Sequence, residues 1–289
     1  IYGDVVEQVL YNGFLSGLSL DGKAFFYTNP LELCPEWLEK DVDKPKEDRP
    51  WLPWLTQRVK VFGCSCCPPN VTRLLASLGG YQYTYEGDAL WVHQYMDSEA
   101  VHGGMRIRQE TQYPNDGRIS ITVDGVGRLA FRIPGWCSAY KIFLDGQPWE
   151  GEEKRGYVYL RLPPGRHNLE LQLDMPCVLV EAHPRVREDA GRVAVRRGPV
   201  VYCVESVDNG PMVSEIMLDG KAFWEAEYEE TYGMHILHTK GLRRNPDGFG
   251  DCLYREMVED RLPVEITMVP YYAFANRGVS EMQVWLLRA

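Results

Sequence analysis

No apolar run in this 289-residue sequence approaches the ~18 residues that a membrane-spanning helix needs. An excess of basic charge is missing as well: 31 Lys and Arg stand against 41 Asp and Glu, a net charge of −10. A surface of that sign does not draw in nucleic acid or anionic lipid non-specifically, so neither is expected as a partner. The composition also lacks the mark of disorder, because 45% of residues are hydrophobic and 25% charged. There is no initiator Met, and Ile1-Tyr2-Gly3-Asp4 opens no signal-peptide pattern. A chain that opens inside a helical pattern is expected to have been cut from something longer, so its first residue says nothing about export.

The eight cysteines lack the even spacing of a small disulfide scaffold. Cys34, Cys137, Cys177, Cys203 and Cys252 stand singly, while Cys64, Cys66 and Cys67 fall within four residues. Cys137, Cys177 and Cys203 have apolar neighbours and read as small core residues. Unpaired thiols point towards the cytoplasm. The oligomeric state stays open, with a homodimer compatible. Eight Trp and 17 Tyr suit sugar-facing surfaces, although aromatics also fill β-sandwich cores.

The chain changes character near residue 84. Before it, Val5, Val6, Val9, Leu10 and Phe14 mark one face of a helix over residues 4–17, with Asp4 as cap. Leu18–Leu20, Asp21-Gly22 and Phe25-Phe26-Tyr27 read as a hairpin. The charge-dense stretch from Asp41 to Arg49 reads as a solvated loop. A second helix is expected over residues 71–78, capped by Asn70 and ended by Gly79-Gly80. Beyond residue 84, short alternating runs separated by turn pairs predict strands near residues 90–95, 105–109, 118–123, 129–133, 141–144, 158–162 and 169–173. A second series follows near residues 192–196, 200–204, 216–218 and 264–269. That pattern predicts two antiparallel β-sandwich domains.

Two patterns look chemical and read as structural. Arg185, Arg187, Arg192 and Arg196 have strand spacing and are expected on an exposed strand face. His235 and His238 are three residues apart in an extended context, which turns their rings to opposite faces and argues against a shared metal.

The chemistry lies in Cys64-Ser65-Cys66-Cys67-Pro68-Pro69-Asn70. Three thiols in four residues point to metal binding or redox work. A vicinal Cys66–Cys67 disulfide would be strained. The two prolines are expected to keep the cysteines out of helix, and Asn70 to open it. The thiols would then sit just before a helix N-terminus, which favours thiolate. Zinc ligation and nucleophilic attack are both open to such a thiolate, and on spacing alone so is a structural zinc cluster.

The sequence also resembles the glycoside hydrolase family of β-L-arabinofuranosidases, family 127. The resemblance is carried by Val9-Leu10-Tyr11-Asn12-Gly13, Phe25-Phe26-Tyr27, Asn29-Pro30-Leu31-Glu32 and Phe62-Gly63 with the cysteine motif. It continues in Leu75–Tyr81, Arg132-Ile133-Pro134-Gly135-Trp136, Arg197-Gly198-Pro199, Tyr271-Tyr272-Ala273 and Asn276-Arg277-Gly278. It implies a mainly β chain: two antiparallel β-sandwiches preceded by the C-terminal helical tail of an (α/α)6-barrel catalytic domain. The implied divisions are residues 1–84 for the barrel tail, 85–188 and 189–275 for the sandwiches, and 276–289 for a strand returning to the first sandwich.

The resemblance further implies retaining hydrolysis of β-L-arabinofuranosides, with plant-type arabinofuranosyl glycans or oligosaccharides as substrates. Cys66 falls on the nucleophile and zinc ligand, Cys67 on an adjacent zinc ligand, and Cys64 on a residue lining the substrate site. The family's remaining zinc ligands, a Glu and a Cys, and its acid/base Glu fall upstream of Ile1, so no acid/base Glu is expected within this chain. Glu32-Leu33-Cys34 imitates the missing Glu-x-Cys motif and is a decoy. The competing readings are a non-catalytic carbohydrate-associated sandwich module with a structural zinc-thiolate cluster, and a thiol redox protein. The latter lacks the usual Cys-x-x-Cys spacing.

Overall fold

A computed structural model describes residues 2–39, 55–60 and 66–289. The charged stretch 41–49, Phe62-Gly63 and Cys64 lie outside the described residues. Two compact units make up the chain. The first takes the described residues up to Tyr11 together with Cys66–Pro176; the second takes those from Asn12 onward together with Cys177–Ala289. Residues 1–84, expected as one helical body, are therefore divided between the units. The physical reason is visible in β1 (Glu32–Leu33), which pairs with the strand Met282–Gln283 near the end of the chain.

The first unit is a sheet built on two long strands. Its members are β2 (Tyr83–Glu86), β3 (Ala89–Val92), β4 (Ser98–His102), β5 (Met105–Thr111), β6 (Arg118–Arg132), β7 (Tyr140–Leu144), β8 (Gln147–Pro148), β9 (Glu152–Lys154) and β10 (Tyr157–Leu173). Four of the predicted runs fuse pairwise into β6 and β10. Ile119, Ile121, Val123, Leu129 and Phe131 face inward from β6, opposite Leu171, Leu169, Leu160 and Val158 of β10. The inward residues of β10 change from even to odd numbers between Leu162 and Leu169, because a bulge between Leu162 and Gly165 inserts one extra residue. Without that bulge, one half of β10 would turn its apolar side to solvent. Both halves contribute to a single core cluster, so the sheet folds over its own apolar face in the manner of a sandwich.

The second sheet contains β1, β11 (Cys177–Val180), β12 (Arg192–Arg197), β13 (Val200–Glu205), β14 (Ile216–Leu218), β15 (Glu225–Glu229), β16 (Met234–Arg244), β17 (Arg261–Pro270), β18 (Met282–Gln283) and β19 (Leu286–Arg288). Three expectations need correction here. The boundary falls after Pro176 and not at 188, because β11 pairs with β12. Residues 276–289 do not return to the first sheet: β18 pairs with β13, β19 pairs with β12 and β14, and Met282, Val284 and Leu286 are buried. The sheets are not wholly antiparallel either, since β3–β6 and β14–β19 run parallel. Among the described residues, no helix is long and apolar enough to cross a membrane.

The opening helix also departs from its pattern. It runs as α1 (Tyr2–Gln8), continues as a π-helix over Val9–Phe14 and ends in a 3-10 turn over Leu15–Gly17. Its buried residues are Glu7, Asn12 and Ser16, while Val5 and Val9 are exposed. Asn12 accounts for the π segment's attachment: its amide donates to Pro199 O at 2.9 Å and accepts from Val201 N–H at 2.8 Å. The hairpin at Asp21-Gly22 reduces to a single bridge between Leu18 and Phe25, and Phe25 pairs onward with Val59. After α2 (Pro35–Glu39), α3 (Cys67–Ser77) and α4 (Gly79–Gln82) lead into β2.

Candidate functional site

Helix α3 starts at Cys67, three residues before the expected Asn70 cap, and Cys66 already has helical backbone at φ −76° and ψ −37°. The prolines explain the difference. Proline is excluded from a helix interior because it lacks an N–H, but the first turn has no intrahelical acceptor for that N–H. Pro68 and Pro69 occupy that turn. Asn70 is thus inside the helix, and Gly79-Gly80 begin α4 where they were expected to terminate a helix.

This early start brings the two thiols together. Cys66 Sγ and Cys67 Sγ are 3.6 Å apart. That distance is far beyond the ~2.05 Å of a disulfide. Two sulfurs bound at ~2.3 Å to one tetrahedral zinc are separated by about 3.8 Å, so the pair fits two corners of such a site. Cys66 is exposed and Cys67 half-buried. Among the described residues no group of three or more His, Cys, Asp or Glu side chains could hold a metal ion. The pair therefore supplies two donors, and Cys64 lies outside the described residues.

The other cysteines contrast with this pair. Cys203 is fully buried, and burial pushes its thiol well above the ordinary range; burial also raises Cys137 and Cys177. Cys137 donates to Ala139 O at 3.1 Å. All three are poor sources of thiolate. In the Glu32-Leu33-Cys34 decoy, Glu32 and Leu33 form β1, paired to Gln283 and Met282.

Histidines 235 and 238 lie on β16, where His238 Nε2 is 3.6 Å from Glu227 and its Nδ1 is 3.2 Å from Thr267 Oγ1. The arginine series is not one strand face: Arg187 is in a 3-10 turn, and Arg192, on β12, donates to Trp285 O at 2.8 Å.

A second constellation was not read from the sequence. Glu7, with no exposure, accepts from Arg132 Nη2, Tyr113 Oη and Trp136 Nε1, the last at 2.9 Å. Arg132 Nη1 reaches Asp4 at 2.7 Å, and Asp4 also accepts from Gly135 N–H at 3.0 Å. The Arg132-Ile133-Pro134-Gly135-Trp136 motif thereby acquires a structural role: it holds α1 against the first sheet. One signal was available, an acidic residue amid the apolar positions Val6 and Leu10.

Comparison with known proteins assigns all three parts of the chain. Residues 1–80 match the family model for the β-L-arabinofuranosidase GH127 catalytic domain. Residues 89–175 match the GH127 middle domain, and residues 177–287 match the glycoside hydrolase family 127 C-terminal domain. The chain belongs to glycoside hydrolase family 127. The family-127 match to the C-terminal domain begins at Cys177, where β11 begins.

A curated relative, a non-reducing end β-L-arabinofuranosidase of Bifidobacterium longum subsp. longum, is 38% identical over 306 aligned residues, covering 99% of this chain. The chain spans 45% of that relative's length. A solved GH127 β-L-arabinofuranosidase from Geobacillus stearothermophilus T6 superimposes with a TM-score of 0.90 at 38% identity, over 100% of this chain and 46% of the other. A further GH127 β-arabinofuranosidase structure gives 0.82 at 32% identity, again over 100% of this chain and 46% of its own.

Proposed function

We propose that this family-127 chain carries the thiol end of the catalytic site of a retaining glycoside hydrolase that releases L-arabinofuranose from β-L-arabinofuranosides. Its substrates on this reading are plant-type arabinofuranosyl glycans or oligosaccharides, and its catalytic domain is of the (α/α)6-barrel type. The carrying observation is the Cys66–Cys67 pair, 3.6 Å apart at the start of α3, within the segment matching the family's catalytic domain.

Retention requires two displacements at the anomeric carbon. In the first, Cys66 sulfur forms a bond to that carbon as the glycosidic C–O bond breaks, and a carboxylic acid delivers a proton to the leaving oxygen. In the second, water gives a proton to the resulting carboxylate and its oxygen displaces the sulfur. Cys66 and Cys67 would hold zinc through their sulfurs, and the bound cation would supply stabilisation of the thiolate form, because a cysteine ligates as thiolate. Cys64 would line the sugar site. The proton-donating carboxylate is assigned to none of the described residues.

The test is covalent capture. With residues 1–289 joined to the family's acid/base-bearing segment, a mechanism-based arabinofuranosyl electrophile, followed by peptide mass mapping, should mark Cys66, and Cys66→Ser should abolish both labelling and hydrolysis of an aryl β-L-arabinofuranoside. Hydrolysis that survives Cys66→Ser would reject the nucleophile assignment. Zinc retention without labelling or turnover would favour a structural zinc-thiolate module.

A further inference from the structure

The conformation that pairs the two sulfurs is one the local sequence resists. Cys67 precedes a proline, and a residue in that position is pushed away from helical backbone by the proline ring. Cys67 is nevertheless helical, and so is Cys66. Something must hold the first turn closed.

Asn70 is placed to do so. In an α-helix beginning at Cys67, the main-chain N–H of residue 70 is directed to the carbonyl of residue 66. The Asn70 side chain adds a second donor to the same carbonyl: its Nδ2 lies 3.0 Å from Cys66 O. Its Oδ1 accepts from Arg73 Nε at 3.2 Å, which fixes the orientation of the amide. Residues 66, 70 and 73 follow one another along one helix face. The hydrogen-bond series thus runs from a guanidinium, through an amide, to the backbone of the residue that bears the exposed thiol.

We propose that Asn70, oriented by Arg73, is a positioning residue for the Cys66–Cys67 pair: by pinning the Cys66 carbonyl it keeps the two sulfurs convergent. The catalytic consequence rests on the reading of Cys66 as nucleophile. The geometric consequence does not. An aspartate at this position keeps the shape and the acceptor for Arg73 but replaces the donor by an oxygen that repels the Cys66 carbonyl. Loss of a support of this kind around a metal or catalytic site costs 10–100-fold.

The experiment uses two readouts on the protein and on Asn70→Asp, Asn70→Ala and Arg73→Gln, with Ser77→Ala as a control on the same helix. The first is capture by phenylarsine oxide after chelation of metal. The arsenical forms two As–S bonds with a convergent dithiol, and its oxygen leaves as water with the two thiol protons. Alkylation by iodoacetamide, which needs one thiol at a time, is the reference. Asn70→Asp should lose at least 10-fold in arsenical affinity while alkylation of Cys66 persists; Arg73→Gln should lose less and Ser77→Ala nothing.

The second readout is aryl arabinofuranoside kinetics, taken with residues 1–289 joined to the family's acid/base-bearing segment, in which Asn70→Asp should lower kcat 10–100-fold with KM little changed. Equal arsenical affinity across all variants would overturn the proposal even if Cys66→Ser were inactive. An active Cys66→Ser protein together with weakened arsenical capture would reject the nucleophile and leave the positioning role standing. If Asn70→Asp fails to fold, Asn70→Ala and Arg73→Gln decide the outcome in the same way.

Discussion

Arg132 Nη2 donates to Glu7 Oε1 at 2.5 Å, and the two side chains are only 2% and 0% exposed. Burying both charges is tolerable because the remaining atoms are also bonded: Glu7 accepts from Tyr113 and Trp136, and Arg132 donates to Asp4 and to His93 O. Removing one partner leaves the other charge desolvated, which costs about 3–5 kcal/mol. Glu7→Ala should therefore destabilise the protein by roughly that amount. Val5→Ala, on the exposed side of α1, should change it by no more than about 0.5 kcal/mol. Urea unfolding followed by Trp fluorescence measures both. Equal midpoints for the two variants would show that the pair does not anchor α1.

The same helix marks the limit of what could be read from sequence. Periodicity located Val5, Val9 and Phe14 on one apolar face but gave no sign of what α1 buries. The residue actually buried is Glu7, because its partners lie more than 100 positions away and leave no local trace. Strands were legible where alternation is local, as at Ile119, Ile121 and Val123. The fusion of four predicted half-strand runs into two long strands was not, since the bulge near Gly165 looks like a turn.

At the thiol motif, the residue types and their spacing were enough to single out the cluster of Cys64, Cys66 and Cys67, while separate roles for Cys66 and Cys67 came only from the family resemblance. The start of α3 was misplaced because a proline in the first turn and a proline that forbids helix have the same one-letter signature. The interleaving of the N-terminal segment with both units depends on pairings such as Leu33 with Met282, which only the fold reveals.

A pH-dependent contribution is expected at the turn between β7 and β8. His167 Nδ1 and Asp145 Oδ2 are 2.8 Å apart. The bond to Asp145 raises the His167 pKa, and the bond from His167, with the Asn168 N–H, lowers that of Asp145. The histidine part of the stabilisation is complete below the unfolded value of about 6.5 and is lost as pH rises through the higher folded value. The aspartate part is present above about 3.9 and is lost as pH falls through its lower folded value. Both act together between about pH 4 and 6.5. The difference in Tm between the protein and His167→Asn should be largest in that window and shrink towards pH 8. A difference independent of pH would reject the ion pair as its source.

Backbone crowding makes a sharper prediction. A Cβ on Gly117 would lie 1.9 Å from Leu173 O, whose own residue donates to Gly117 O at 2.9 Å. Neither backbone can move without breaking the pairing of β6 and β10. Gly117→Ala should cost about 1–3 kcal/mol, the range for overpacking a well-filled site. Gly79, in the first turn of α4, has open space around its Cβ position. Gly79→Ala should be neutral or stabilising by up to about 1 kcal/mol, because alanine loses less chain entropy on folding. Denaturant midpoints of the two variants should move in opposite directions or by clearly different amounts.

The last prediction concerns zinc and turnover in residues 1–289 produced alone. Among the described residues, Cys66 and Cys67 are joined by no Asp, Glu or His that would complete a three-donor group. A cation held by two sulfurs, with Cys64 as the nearest further thiol in sequence, should bind more weakly than in a closed four-ligand site. Zinc content per mole after dialysis should therefore be low, and it should fall to background in Cys66→Ser and in Cys67→Ser. Cys34→Ser should leave it unchanged, since Glu32-Leu33 is committed to pairing with β18. On the proposed reading no described residue supplies the general acid, and a reaction run without one is slower by about 10²–10⁴. Hydrolysis of an aryl β-L-arabinofuranoside should consequently be undetectable beside the Bifidobacterium longum relative under the same conditions. Comparable turnover would place the acid within residues 1–289 and would require a different assignment of the catalytic carboxylate.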